Sequence, residues 1–180
     1  MTSRLRRALC LLLSGAALRT AQAQAMPQAG QAAPDFTLPD QQGRPRRLDE
    51  WRGAWLVLYF YPKDDTPGCT EQACTLRDEW LQLQALGAQV VGVSVDSSAS
   101  HAAFAQKYKL PFPLLADEKG EVAARYGVLS NWGVIRFARR RTFLIDPQGR
   151  VARVYTEVDT ARHAAELLAD LRRLRQQAGR

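Results

Sequence analysis

Two continuous apolar runs constrain this chain more than any other feature. Trp55-Leu56-Val57-Leu58-Tyr59-Phe60 lies between Gly53 and Pro62, and Val90-Val91-Gly92-Val93-Ser94-Val95 repeats the pattern. A strand with one wet face alternates apolar and polar residues. Runs without alternation belong to strands covered on both faces, the condition of a parallel sheet flanked by helices. Between them, Ala73, Leu76, Trp80, Leu83 and Leu86 recur at three- and four-residue spacing, the period of one helix that Gly87 would end. Such a strand, helix, strand unit is parallel and right-handed. The fold class that follows is α/β.

The rest of the chain extends this unit. Phe36-Thr37-Leu38 reads as a short strand entering the turn Asp40-Gln41-Gln42-Gly43, with Arg46 to Leu48 pairing back onto it. Helices are expected over 100–108 and 119–126, around a short strand at 113–116. Strands at 141–145 and 151–155 flank Asp146-Pro147-Gln148-Gly149, whose Pro second and Gly fourth make a tight turn, so this pair is antiparallel and the sheet is mixed. A last helix, capped by Thr160, would carry Ala164, Leu167, Leu171 and Leu174 on one face. Residues 26–33 read as a flexible lead-in and 34–180 as one domain. With 46% apolar and 24% charged residues the chain is neither disordered nor a disulfide framework. A chain of this size buries roughly two thirds of its unfolded surface in a single core.

Residues 1–25 have the pattern of an export signal. Arg4, Arg6 and Arg7 precede the apolar stretch from Ala8 to Leu18, and Ala21-Gln22-Ala23 and Ala23-Gln24-Ala25 are small-x-small cleavage patterns. A spanning helix needs about 20 apolar residues, which this stretch lacks. The mature chain is therefore expected to be exported to the periplasm, with no membrane attachment after cleavage. Removing 1–25 takes four of the 25 basic residues and none of the 18 acidic ones, so the net charge falls from +7 to 21 − 18 = +3. Arg172, Arg173, Arg175 and Arg180 suit a helix C-terminus, and no aromatics interleave with them, so nucleic acid is not an expected partner. Cleavage also removes Cys10 and leaves Cys69 and Cys74.

The chemistry gathers in Pro62-Lys63-Asp64-Asp65-Thr66-Pro67-Gly68-Cys69-Thr70-Glu71-Gln72-Ala73-Cys74, which follows a buried strand and opens a helix. Active sites of α/β sheets lie at the carboxyl ends of strands. Thr66 suits an N-cap and Pro67 the first helical position, which puts Cys69 in the first turn, where free N–H groups stabilise a thiolate over a thiol. Cys69 is thus a candidate nucleophile; a static disulfide or an inert buried thiol is the alternative. Four residues separate the cysteines, unlike the two of a thioredoxin-type dithiol. His101 and His163 are far from them in sequence and read as surface or helix-cap residues, so no metal site is expected.

Phe60-Tyr61-Pro62 through Cys74 resembles the active-site loop of peroxiredoxins, in the bacterioferritin-comigratory-protein or peroxiredoxin Q branch. The likeness extends from Ala33-Pro34-Asp35-Phe36 through Leu110-Pro111-Phe112-Pro113 to Thr142-Phe143-Leu144-Ile145-Asp146. It implies a thioredoxin-like fold, a central mixed sheet flanked by helices. It also implies a peroxidase that uses no metal, haem or flavin, acting on hydrogen peroxide and organic hydroperoxides, with an external dithiol, a thioredoxin-like protein, as reductant. Cys69 matches the peroxidatic cysteine and Cys74 the resolving one. Thr66 and Pro62 match residues that orient and shield the peroxide, and Arg140 matches an arginine just before the Phe-Leu-Ile-Asp strand. Relatives often carry Glu three residues after the peroxidatic cysteine; here Gln72 stands there. Strand alternation would point Arg140 away from Arg139 and Arg141, leaving those two in solvent. A monomer is expected. The alternative activity is that of an exported thiol–disulfide oxidoreductase acting on proteins. On one continuous helix, cysteines five apart have Cα atoms about 8.6 Å from each other. A disulfide allows about 7 Å, so the resemblance implies local unwinding.

Overall fold

The computed structural model describes residues 25–178. Apart from Ala25, the segment expected to be an export signal lies outside them. The two apolar runs form β3 (Trp55–Phe60) and β4 (Ala88–Ser94), parallel neighbours in register from Trp55 opposite Ala88 to Phe60 opposite Val93. With β5 (Leu114–Ala116), β8 (Arg141–Ile145) and β9 (Val151–Tyr155) they make a five-stranded sheet in the order β5-β4-β3-β8-β9. The β4–β5 pair is parallel; β3–β8 and β8–β9 are antiparallel, so the sheet is mixed as expected. Before it, β1 (Thr37–Pro39) pairs antiparallel with β2 (Pro45–Arg47), and a 3-10 turn spans Leu48–Trp51.

Alternation along β3 sends its side chains to two cores. Val57 and Tyr59 face a cluster with Cys69, Leu76, Leu83, Phe104, Leu167 and Leu171. Leu56, Leu58 and Phe60 face Phe36, Trp51, Tyr126 and Phe143. Both faces are dry, which is why the run shows no period of two. Helices α1 (Pro67–Asp78), α2 (Trp80–Ala85), α3 (Ser98–Tyr108) and α5 (His163–Ala178) contribute to the first core, and α4 (Glu121–Arg125) to the second.

Several expectations are corrected. The single helix after β3 is two, broken at Glu79, whose φ of −93° and ψ of 7° leave the helical region. The break lets Trp80 pack on Phe112 at 5.8 Å between ring centroids while Leu83 enters the core. Thr160 does not cap α5, which starts at His163; its hydroxyl bonds Glu71 of α1, and the Asp159 carboxylate accepts from the Ala161 N–H instead. The lead-in is tied to the β8–β9 hairpin: Gly30 N donates to Val151 O, Val151 N to Gln31 O and Ala33 N to Gly149 O, adding strand-like bonds at its edge. A second hairpin, β6 (Leu129–Trp132) with β7 (Ile135–Ala138), has no counterpart in the elements expected. Among the described residues, no helix is long and apolar enough to cross a membrane.

Candidate active site

Register brings the site together. The last β3–β8 pair is Phe60 opposite Arg141, so the chain leaving β3 at Tyr61 and the chain arriving at Arg140 meet at one sheet end. Tyr61 N still bonds Val93 O of β4; the loop then turns into α1. Pro67 occupies the first turn of α1 and fixes φ without losing a needed N–H. Thr66 has the extended backbone of an N-cap but makes no side-chain cap: its Oγ1 donates to Lys63 O at 3.0 Å. Cys69 follows in the first turn, 2% exposed, with its thiol free, as is that of the half-buried Cys74 further along the same helix.

Arg140 is the group that addresses Cys69. Its Nη2 donates to Cys69 Sγ at 3.2 Å and its Nη1 to Gln72 Oε1 at 2.5 Å. The planar fork thus spans two side chains that sit three residues apart on one face of α1. Gln72 is fully buried and takes, as a neutral acceptor, the place where a carboxylate would otherwise clamp the arginine. Among the described residues no carboxylate pairs with Arg140, so its guanidinium offers the sulfur a charge that none of them offsets. A Cβ at Gly68 would lie 3.4 Å from Arg140 Nη2, an ordinary contact, so the approach does not depend on glycine. Arg139 and Arg141 do not reach the thiol. Arg139 is exposed as expected, with its Nε donating to Ser130 Oγ, whereas Arg141 is half-buried and its Nη1 donates to Arg140 O. Pro62 is half-buried beside the loop and lines a groove of 480 Å³ with Lys63, Val95, Ile135 and Phe137.

The histidines were misplaced by sequence: both are completely buried. His101 Nδ1 lies 2.9 Å from Asp64 Oδ2 and 3.3 Å from the Tyr61 hydroxyl. Burial pushes the Asp64 carboxyl up, but bonds from His101, Ser100 and Tyr61 more than offset it and hold that carboxyl below its ordinary value. His163 Nε2 meets Thr142 Oγ1 at 2.9 Å, and burial, helped by the charge of Arg140, lowers its pKa to about 4. It is neutral near pH 7 and lies in the same electrostatic neighbourhood as the thiol. The apolar face of α3 carried the missed signal: His101, Phe104, Ala105 and Tyr108 recur at helical spacing. Among the described residues, no group of three His, Cys, Asp or Glu side chains is placed to hold a metal.

A buried thiol under an arginine, at a helix start and at the carboxyl end of a central strand, is an arrangement suited to thiol chemistry on a thioredoxin-like fold. The chain belongs to the AhpC/TSA family, whose pattern matches residues 29–154. Within it, the chain is a peroxiredoxin of the bacterioferritin-comigratory-protein and peroxiredoxin Q branch, a thiol-dependent peroxidase. It is 47% identical to chloroplastic peroxiredoxin Q of Sedum lineare over 148 residues, 81% of this chain and 78% of that one. Among solved structures it resembles peroxidoxin BcpB from Mycobacterium tuberculosis, with a TM-score of 0.77 and 39% identity over 81% of this chain and 97% of that one. Peroxiredoxin Q from Xanthomonas campestris matches with a TM-score of 0.71 and 34% identity, over 76% and 89%. Membership favours the peroxidase over the protein oxidoreductase that the cysteine spacing alone left open.

Proposed function

We propose that Cys69 is the residue that attacks the hydroperoxide and Cys74 the one that resolves it. The observation that carries this is the bond from Arg140 to the Cys69 sulfur, with the arginine's other arm held by Gln72. In the first step the sulfur bonds the terminal peroxide oxygen while the O–O bond breaks. The electron pair leaves on the second oxygen, which takes a proton and departs as water or an alcohol. Cys69 is then a sulfenic acid.

Arg140 has further N–H groups with which to bond the peroxide oxygens as charge develops on them. The Thr66 hydrogen is engaged by Lys63 O, so its oxygen acts as acceptor, suited to orienting the O–H of a hydroperoxide. Pro62 closes the side of the loop. The Cys74 thiol then condenses with the sulfenic acid, forming the S–S bond and releasing water, before the sulfur is oxidised further. A thioredoxin-like dithiol returns both thiols by exchange, itself leaving as a disulfide.

The chain works as a monomer after export to the periplasm and loss of residues 1–25. The basic start, apolar stretch and small-x-small sites of that segment support the export and the cleavage. The test of the site is the pair Cys69→Ser and Cys74→Ser under single turnover. Cys74→Ser should consume one equivalent of peroxide and stop, and Cys69→Ser should consume none. A full first turnover by Cys69→Ser would overturn the assignment.

A further inference from the structure

Segment 61–66 carries Pro62 and Thr66 and delivers the chain into α1, yet after Tyr61 it leaves the sheet. Two adjacent carboxylates hold it instead. Asp64 accepts from Tyr61 Oη at 2.7 Å and, across to α3, from Ser100 Oγ at 2.7 Å, with His101 Nδ1 at 2.9 Å. Its own N–H donates to Asp96 Oδ2 at 2.9 Å, an oxygen that also takes the Ser94 hydroxyl at 2.6 Å. Asp65, with φ of +56°, accepts from Lys107 Nζ at 2.7 and 2.8 Å and from Tyr108 Oη at 2.7 Å. A non-glycine residue in the left-handed region persists only where its surroundings fix it. Helix α3 thus grips the loop at two adjacent residues from two parts of its own length, Ser100 and His101 holding Asp64 and Lys107 and Tyr108 holding Asp65 at the surface.

His101 is the member that packing explains least. It is fully buried, and its Nε2 has no hydrogen-bond partner among the described residues. Leaving a ring nitrogen unpaired there costs free energy that a leucine would avoid. Facing a carboxylate, Nδ1 is the nitrogen that donates. What the imidazole accomplishes is to donate to Asp64. We propose that His101 is a positioning residue of this peroxidase. Through Asp64 it holds the loop against α3, so that Pro62 and Thr66 stay placed over Cys69 and only α1, not the loop before it, gives way when Cys74 approaches.

This rests on Cys69 being the peroxide-reactive thiol, and the experiment separates the two. Oxidation of Cys69 by hydrogen peroxide is timed in a Cys74→Ser background, which isolates the first step, for the wild-type loop, His101→Ala and His101→Asn. The asparagine amide nitrogen falls close to the place of Nδ1. His101→Ala should react about tenfold to a hundredfold more slowly per folded molecule, as small misplacements of catalytic groups do. His101→Asn should recover most of that rate. Equal rates for all three, or no recovery with asparagine in a folded protein, would overturn the positioning role alone; no peroxide reaction in any of them would overturn the Cys69 assignment as well. Should His101→Ala not fold, Lys107→Ala with Tyr108→Phe opens the surface end of the same grip. It should slow oxidation in the same direction, and an unchanged rate would count against the proposal.

Discussion

Every residue of β3 is at most 9% exposed, and its backbone is paired on both sides, to β4 and to β8. The next element along, α1, begins on Pro67-Gly68, receives no side-chain cap from Thr66 and has no acidic residue in its first turn. The two are separated by six residues and differ in everything that opposes local opening. The difference teaches where the chemistry can move. Cys69 and Cys74 lie on the unbroken helix Pro67–Asp78, too far apart for a disulfide, so the resolution proposed above requires one element to deform. The strand supplies a fixed end from which Arg140 and the loop are aimed, and the helix supplies the part that gives.

The strongest attempt to break this comparison sets Arg140→Ala against Leu58→Ala. Arg140 donates to the sulfur, and losing such a donor should slow oxidation of Cys69 about a hundredfold with little change in stability. Leu58 is fully buried in the second core, and its truncation should cost about 2–5 kcal/mol of stability while leaving the oxidation rate per folded molecule unchanged. Denaturant melts and peroxide kinetics on both variants check it. If Leu58→Ala slowed the chemistry as much as Arg140→Ala, frame and site would not be separable.

The same contrast explains what was legible in the sequence. Segments buried on two faces announce themselves by composition, so β3 and β4 could be read from runs of apolar residues, whereas β8 and the edge strand β9, half-buried along its middle, were read from the Pro and Gly of the turn between them. The loop and its cysteines were legible because their spacing is tied to a helix start. What was hidden is polar and tertiary. Nothing local says that Gln72 will meet Arg140, 68 positions later, or that the Thr66 hydroxyl will turn to Lys63 O rather than cap its helix. His101 was read as exposed because a lone histidine carries no sign of the aspartate waiting for it in another segment. Hairpin β6–β7 lacks an alternating pattern and leaves Trp132, Val134 and Ile135 exposed, so no burial signal marked it.

A second prediction concerns the frame, through His163. Its folded pKa, about 4, lies below the ordinary 6.5, so the unfolded chain binds the proton first as pH falls. The contribution to stability is complete above pH 6.5 and is lost progressively as pH drops from 6.5 toward 4, by about 3 kcal/mol. The carboxyls of Asp40, Asp64 and Asp170 are held below their ordinary 3.8, so their losses begin at lower pH. His163→Gln keeps a hydrogen-bonding group for Thr142 and removes the titration; its stability should be flat across that window where the wild type falls. Parallel curves for the two would show that the histidine is not what weakens the frame in acid.

The smallest effect is the most direct probe of α1. Gly68 sits in the first turn, and its φ is not in the left-handed region, so alanine fits the backbone; its Cβ would meet the Arg140 side chain at 3.4 Å, an ordinary contact. Alanine favours helix over glycine by up to about 1 kcal/mol. If forming the disulfide requires the first turns to unwind, that preference is lost on the way, and Gly68→Ala should close the disulfide about fivefold more slowly, since about 1.4 kcal/mol is tenfold. Oxidation of Cys69, which needs the wound helix, should not slow. Hydrogen exchange on reduced and oxidised protein supplies the matching measurement: protection should change across residues 67–78 and stay constant in β3. A disulfide that closes equally fast in Gly68→Ala, with protection altered in β3 as much as in α1, would mean that the strand moves too, and the division between a fixed frame and a yielding helix would have to be abandoned.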